Sequence, residues 1–164
     1  MDKHDPLKQN SFKTDEKGAF VRTASTFRDF ISSEPGAKYP PEADRYHIYV
    51  NLACPWATGV LAMLDLKGLT KFFTVSNTKP EWGIVNEEGR GGWIFDEQSK
   101  TSRFEAIDHV FGQKSIYDVY RHVVPGSEGK KTVPILLDKK TKTIVNNESI
   151  EIMKMLNSEF ENLA

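Results

Sequence analysis

The chain has 164 residues and a formal net charge of −1, with 38% hydrophobic and 27% charged residues, which is typical of one globular domain. The balanced charge gives no reason to expect nucleic acid or an anionic membrane as a partner. No apolar run reaches the roughly 18–20 residues that cross a bilayer, and Met1–Lys17 does not resemble a signal peptide, so we expect a cytoplasmic protein.

The first 44 residues are predicted to form a tail and a lead-in to the domain. Residues 1–19 are rich in charge and poor in apolar groups, which is typical of a mobile tail. Within Phe20–Ile31 apolar side chains recur at helical spacing, which predicts a short helix. Prolines and a glycine in Glu34–Asp44 indicate an extended loop.

A strand, a helix and a second strand follow. β-Branched and aromatic residues predict a strand at Tyr46–Leu52. Apolar residues with a period near that of a helix predict a helix from Pro55 to about Lys67, because proline suits the first helical position and Gly68 suits the end. A second strand is predicted at Phe72–Ser76. Such a β-α-β unit implies parallel pairing and a right-handed crossover.

Residues 77–123 are predicted to be a long insertion or helical connection. Asn77–Arg103 is polar and rich in glycine, and a loop of that length inside a compact domain is either functional or poorly ordered. Two helices are predicted after it, at Phe104–Phe111 and at Ser115–Val123.

The last part of the chain completes a familiar order of elements. Strands are predicted at Thr132–Asp138 and Thr143–Asn146, joined by a hairpin turn. A helix is predicted over Glu148–Phe160, with Asn147 as its candidate cap. The order β-α-β, connection, β-β-α predicts an α/β fold of the thioredoxin-like type with a mixed four-stranded sheet, spanning residues 45–160.

The only cysteine, Cys54, lies between the first predicted strand and the first predicted helix. Unpaired N–H groups and the positive end of the helix dipole favour an anion there, so the position suits a nucleophilic thiolate. The alternative is an inert cysteine that fills space in the core. A lone cysteine excludes an internal disulfide and a cysteine-rich metal site, so no metal is expected. Any disulfide must form with a small thiol or another protein.

Two further segments carry groups suited to a small ligand. A cis Val133–Pro134 bond would turn the Val133 backbone toward a ligand, and the alternative is a plain proline in an edge strand. At the last predicted helix start, N–H groups and the Ser149 hydroxyl can hold a carboxylate, while Glu148 offers a partner for an ammonium group. The alternative there is a simple capping segment.

Four motifs together resemble a known family. They are Tyr49-Val-Asn-Leu-Ala-Cys-Pro-Trp-Ala57, Gly92-Trp-Ile-Phe95, Thr132-Val-Pro-Ile135 and Thr143-Ile-Val-Asn-Asn-Glu-Ser149. In order and spacing the sequence resembles the N-terminal glutathione-binding domain of the xi-class glutathione transferases, the glutathionyl-hydroquinone reductases. The resemblance runs from about Phe20 to Phe160.

The resemblance implies that Cys54 is the catalytic residue and that glutathione is the co-substrate. It also implies the residues that would bind glutathione: Val133 through its backbone, cis Pro134, Glu148 and Ser149 at the γ-glutamyl end, and Trp93 packed over the ligand. The family has Gly-Arg before the Thr-Val-Pro strand. Here Lys130 follows the glycine, and it would replace the charge but not the bidentate grip of arginine. Thr58 and Gly59 replace the His-Arg that follows Cys-Pro-Trp-Ala in the family.

The implied reaction is the reduction of glutathionyl-(hydro)quinones through a mixed disulfide between Cys54 and glutathione. The chain ends at Ala164, so we expect the family's all-helical C-terminal domain to be absent. In the family that domain supplies most of the aromatic pocket and much of the dimer interface, so the oligomeric state stays open, with a monomer as one alternative. Two alternatives stay open, a glutathione-binding module without efficient turnover and a thioredoxin-like interaction domain.

Overall fold

The computed structural model describes residues 16–19, 24–87, 89–99, 103–127 and 131–163. Most of the predicted tail, the start of the predicted N-terminal helix and Lys130 lie outside the described residues. A short 3-10 helix at Thr70–Phe72 precedes the second strand. The strands and helices are β1 (Tyr46–Val50), α1 (Pro55–Leu66), β2 (Thr74–Asn77), β3 (Trp82–Ile84), β4 (Gly91–Trp93), α2 (Ile116–Val123), β5 (Ile135–Asp138), β6 (Thr143–Asn146) and α3 (Ser149–Ser158).

A four-stranded sheet in the order β2-β1-β5-β6 forms the centre of the fold. β1 runs parallel to β2 and antiparallel to β5, and β5 runs antiparallel to β6, so the sheet is mixed. All five residues of β1 are buried, as expected for a central strand that is covered on both faces. The predicted fold class, an α/β thioredoxin-like fold with a mixed four-stranded sheet, is confirmed. β5 begins after Pro134 rather than at Thr132, so the proline does not interrupt the ladder.

Two helices, α1 and α3, pack against each other and supply much of the apolar core. Each buries residues at helical spacing, and burial of one leucine or isoleucine side chain contributes roughly 1.5–3 kcal/mol. α1 ends as predicted near Gly68, whose φ of +66° favours glycine. Among the described residues, no helix is long and apolar enough to cross a bilayer. The buried residues are Ala57, Val60, Leu61 and Leu64 in α1 and Ser149, Ile152, Met155 and Leu156 in α3.

A buried ion pair joins the start of β1 to the end of β5. Arg45 donates to Asp138 through Nε at 3.1 Å and Nη2 at 2.7 Å, and the two side chains are 8% and 0% exposed. Burial alone would raise the pKa of Asp138, but hydrogen bonds from Arg45 and Thr141 outweigh burial and hold the pKa below its usual range. The pair thus neutralises a charge that could not be buried alone.

Residues 25–33, which we name the strap, lie along β6 and α3. The Asp29 N–H donates to Val145 O at 3.0 Å, and the Ile31 N–H to Met155 Sδ at 3.0 Å. The predicted helix over Phe20–Ile31 is therefore wrong where the structure describes it. Backbone groups of the strap bond to β6 and α3 instead of to one another, and Ile31 enters the core.

The connection between β2 and α2 also differs from its prediction. The predicted long loop contains a two-stranded hairpin in which Trp82 of β3 pairs with Trp93 of β4. The predicted helix at Phe104–Phe111 is wrong. Its backbone turns around the Asp108 carboxylate, which accepts hydrogen bonds from the N–H groups of Val110, Phe111 and Gln113. Such local bonds from an aspartate to the backbone compete with helix formation.

Candidate functional site

Asn51 shapes the turn that carries the cysteine. Its side-chain Oδ1 accepts from the Ala53 N–H at 2.7 Å, and its carbonyl accepts from the Cys54 N–H at 3.0 Å. Its side-chain Nδ2 donates to Thr78 Oγ1 and to Lys79 O, both at 2.7 Å. Asn51 is fully buried, so the turn is fixed to the segment that follows β2.

Cys54 is the N-cap residue of α1, with an extended backbone at φ −96° and ψ 112°. Its carbonyl accepts from the Ala57 N–H at 3.1 Å and from the Thr58 N–H at 3.0 Å. The residue is only 8% exposed, whereas Trp56 in the first turn of the helix is 58% exposed. The predicted location of Cys54 at a helix start is confirmed, and the residue belongs to the buried core.

The peptide bond between Val133 and Pro134 is cis, as predicted. Both residues are buried just before β5. The Sγ atom of Cys54 lies 3.8 Å from Val133 O, within reach of a weak hydrogen bond from a thiol. Two of the segments singled out in the sequence are therefore in direct contact, although 79 positions separate these two residues.

Glu148 and Ser149 stand at the start of α3. Glu148 is the N-cap residue, and its N–H donates to Asn146 Oδ1 at 2.7 Å. Its carboxylate Oε2 accepts from Ser25 Oγ of the strap at 2.9 Å. Ser149, the first helical residue, is 3% exposed. The prediction of Asn147 as the cap is wrong, because its side chain bonds elsewhere.

A tyrosine that the sequence did not single out connects these segments. The Tyr120 hydroxyl of α2 donates to Thr132 O at 3.1 Å and accepts from Asn147 Nδ2 at 2.9 Å. Burial raises the pKa of Tyr120, so the hydroxyl keeps its proton at neutral pH. Tyr120 thus holds the residue before Val133 to the residue before Glu148. The apolar periodicity of α2 marks Tyr120 as buried, but no spacing in the sequence reveals its partners.

Trp93 lies in the β3–β4 hairpin. Its ring stands perpendicular to that of Trp82, with 5.3 Å between the ring centroids. Trp93 is partly buried against the edge of the core, and β4 contacts α2. The structure therefore associates Trp93 with the hairpin and α2. Lys130 falls outside the described residues, and no cluster of metal-ligating side chains occurs among those that the structure does describe.

Residues 53–159 match the family model described as "Glutathione S-transferase, N-terminal domain". The chain belongs to this family. Glutathionyl-hydroquinone reductase YqjG of Escherichia coli (strain K12) is 41% identical over 153 residues, which are 89% of this chain and 44% of that protein. Glutathionyl-hydroquinone reductase PcpF of Sphingobium chlorophenolicum is 39% identical over 147 residues, 89% of this chain and 42% of that protein.

Solved structures agree with the sequence relatives of this glutathione S-transferase N-terminal domain. Glutathione-S-transferase Xi from Phanerochaete chrysosporium has a TM-score of 0.77 at 39% identity, over 88% of this chain and 46% of the other. The glutathione-bound structure of YqjG from Escherichia coli K-12 has a TM-score of 0.74 at 39% identity, over 85% of this chain and 44% of the other. The chain spans less than half the length of these relatives. The resemblance to xi-class glutathione transferases is confirmed.

In this glutathione S-transferase N-terminal domain, hydrogen bonds link three of the segments that carry predicted site residues, whereas among the described residues no such bond links Trp93 to them. Cys54 contacts Val133 directly, and Tyr120 connects the Val133 segment with the segment that precedes Glu148. The result is a thiol, a buried cis-proline loop and a helix start with a carboxylate. A helix start of this kind can hold an anionic group of a small ligand.

Proposed function

We propose that residues 45–160 form a glutathione-binding unit in which Cys54 exchanges thiols with glutathione-linked substrates. The observation that carries the proposal is the 3.8 Å contact between Cys54 Sγ and the carbonyl of Val133, beside the cis bond to Pro134. A peptide backbone lying along Val133 would bring its own thiol close to Cys54. Glutathione-bound structures among the relatives support glutathione as that peptide.

The start of α3 would hold the γ-glutamyl end of glutathione. N–H groups at a helix start and the Ser149 hydroxyl favour the α-carboxylate. The Glu148 carboxylate would pair with the α-ammonium group. We further propose that Trp93 packs over the ligand and that Lys130 provides a cation for it.

The proposed reaction is a thiol exchange at sulfur. The Cys54 thiolate attacks the glutathionyl sulfur of an S-glutathionyl-hydroquinone. A disulfide bond forms, the bond from sulfur to the aromatic carbon breaks, and that carbon takes up a proton as the hydroquinone leaves. A second glutathione thiolate then attacks the mixed disulfide, which releases glutathione disulfide and restores the Cys54 thiolate. One glutathionyl-hydroquinone and one glutathione thus give one hydroquinone and one glutathione disulfide.

The aromatic substrate class rests on the relatives, two of which are named glutathionyl-hydroquinone reductases. One observation favours a narrower function, namely glutathione binding or a thioredoxin-like interaction without efficient turnover. Cys54 is only 8% exposed, so a bulky aromatic conjugate has less access to its sulfur than an exposed thiol would give.

The decisive experiment mixes the chain with an S-glutathionyl-hydroquinone and reduced glutathione and follows hydroquinone release by chromatography. Whole-protein mass spectrometry without reduced glutathione reports the mixed disulfide. We expect one glutathionyl adduct on the unaltered chain and none on Cys54→Ser. In the presence of reduced glutathione, the unaltered chain should release hydroquinone and the variant should not. An adduct without release supports the narrower function. Full activity of Cys54→Ser would refute the proposal.

A further inference from the structure

We propose that Ser25 is a positioning residue that orients the Glu148 carboxylate toward the ammonium group of a γ-glutamyl ligand. The inference rests on the proposed function, because it assumes that Glu148 meets that ammonium group. Ser25 is outside the stretch matched by the family model, residues 53–159. It is 123 positions from Glu148 in the sequence, yet its Oγ donates to Glu148 Oε2 at 2.9 Å.

Ser25 occupies a fixed place beside the helix start. Two positions further along the strap, the Phe27 N–H donates to Asn147 Oδ1 at 3.2 Å, and Phe27 O accepts from the Asn147 N–H at 3.1 Å. Ser25 Oγ also lies 3.4 Å from Asn147 O. These bonds anchor the strap immediately before Glu148, so the hydroxyl is held against the carboxylate.

The chemistry of the donor matters as much as its place. A carboxylate accepts about four hydrogen bonds, so the bond from Ser25 to Oε2 uses only one of these acceptor positions. A hydroxyl is neutral, so it restrains the glutamate side chain without cancelling its charge. The strap's cation, Arg28, donates to Glu151 through Nε at 2.7 Å and also through Nη2. Arg28 therefore forms its hydrogen bonds with Glu151, whereas the hydrogen bond from Ser25 to Glu148 comes from a neutral group.

The same strap offers a matched control at its other end. Ser33 Oγ donates to Glu159 Oε2 at 3.2 Å, and Glu159 is the residue just after α3. Ser25→Ala and Ser33→Ala therefore remove the same kind of bond, one at each end of the helix. Only the first bond touches a residue proposed to bind the ligand.

The test measures binding of reduced glutathione to the full chain by isothermal titration calorimetry. A second ligand is the glutathione analogue in which hydrogen replaces the α-amino group. We expect Ser25→Ala to weaken glutathione binding roughly three- to tenfold. Ser33→Ala should bind as the unaltered chain does, and Ser25→Thr, which keeps the hydroxyl, should restore most of the affinity.

The analogue separates orientation of Glu148 from general damage to the fold. Without an ammonium group there is nothing for Glu148 to pair with, so Ser25→Ala should bind the analogue as tightly as the unaltered chain. Equal weakening of both ligands, or an unchanged affinity of Ser25→Ala for glutathione, would overturn the inference alone. If the unaltered chain binds no glutathione, the proposed function fails and the inference fails with it.

Discussion

The Tyr120 hydroxyl accepts a hydrogen bond from Asn147 Nδ2 at 2.9 Å, and both residues are buried. Because the same hydroxyl donates to Thr132 O, one oxygen atom joins the loop that carries the cis proline to the start of α3. The two parts of the proposed glutathione site are therefore joined through a buried hydroxyl.

Removal of that hydroxyl should weaken the fold. Tyr120→Phe leaves the Asn147 amide and the Thr132 carbonyl short of one partner each, at an expected cost of about 1–3 kcal/mol in the free energy of unfolding. Urea denaturation measures the change. Tyr117→Phe, on a partly exposed side of the same helix, is the control and should change stability by less than about 0.5 kcal/mol. Equal stability of the two variants would contradict this role for Tyr120.

The buried pair of Arg45 and Asp138 should be worth far more than a similar pair on the surface. Arg45→Met leaves the Asp138 charge buried without its main partner, and we expect a loss of about 3–5 kcal/mol. Arg103 pairs with Asp65 through two hydrogen bonds, but these side chains are 42% and 43% exposed. Arg103→Met should therefore cost less than about 1 kcal/mol. Chemical denaturation at neutral pH compares the two, and similar losses would count against the argument.

His47 should make stability depend on pH. Burial lowers the pKa of His47 to about 3, and nearby Lys139 adds to the effect. The unfolded chain takes up a proton at His47 below about pH 6.5, while the folded chain does not. The contribution of neutral His47 to the free energy of unfolding is therefore complete above about pH 6.5, and it is lost as the pH falls toward 3.

The measurement is the unfolding free energy as a function of pH. Between about pH 6 and 4 this one residue should add a slope of about 1.4 kcal/mol per pH unit, with stability falling as the pH falls. His47→Gln cannot take up a proton and should lack that part of the slope. A variant with the same slope as the unaltered chain would show that His47 titrates alike in both states.

Replacing Gly59, the glycine inside α1, by alanine should stabilise the fold. A Cβ at Gly59 would lie 3.4 Å from Met153 Sδ, at the limit of ordinary van der Waals contact. Gly59→Ala removes the flexibility of a glycine from a helix interior. Thermal denaturation should therefore show that the free energy of unfolding is higher by about 0.5–1 kcal/mol. Gly68→Ala is the opposite case, because its φ of +66° is strained for alanine. A loss of stability in Gly59→Ala would mean that Met153 cannot adjust.

Regular elements with strong local signals could be predicted from the sequence. α1 combines an apolar period, a proline at its first position and a glycine after its end; its predicted start is confirmed, and it ends one residue before the predicted end. β6 has the limits that its β-branched residues predict. For the site, the placement of Cys54 at a helix start and the cis bond before Pro134 were also predicted. Neighbouring residues carry the information for the helix, the strand and the place of Cys54, whereas the family resemblance carried the information for the cis bond.

The features that the sequence did not reveal depend on distant partners. Ile31 has helical spacing with its neighbours, but its N–H bonds to Met155 Sδ, 124 positions away. Asp108 lies in a segment with apolar periodicity, yet its carboxylate draws three N–H groups into a turn. Tyr120 looks like an ordinary core residue until Thr132 and Asn147 are placed beside its hydroxyl. Local sequence patterns do not predict contacts between residues that are far apart in the chain.

The strap has a consequence for the dynamics of the domain. The Asp29 N–H bonds to Val145 O of β6, and the Ile31 N–H bonds to Met155 Sδ of α3. An amide proton bonded in this way exchanges with solvent only when that region opens. Deuterium uptake at Ile31, whose N–H bonds to Met155 Sδ, should therefore follow the same slow course as uptake in α3, so that an early segment of the chain reports the opening of its last helix.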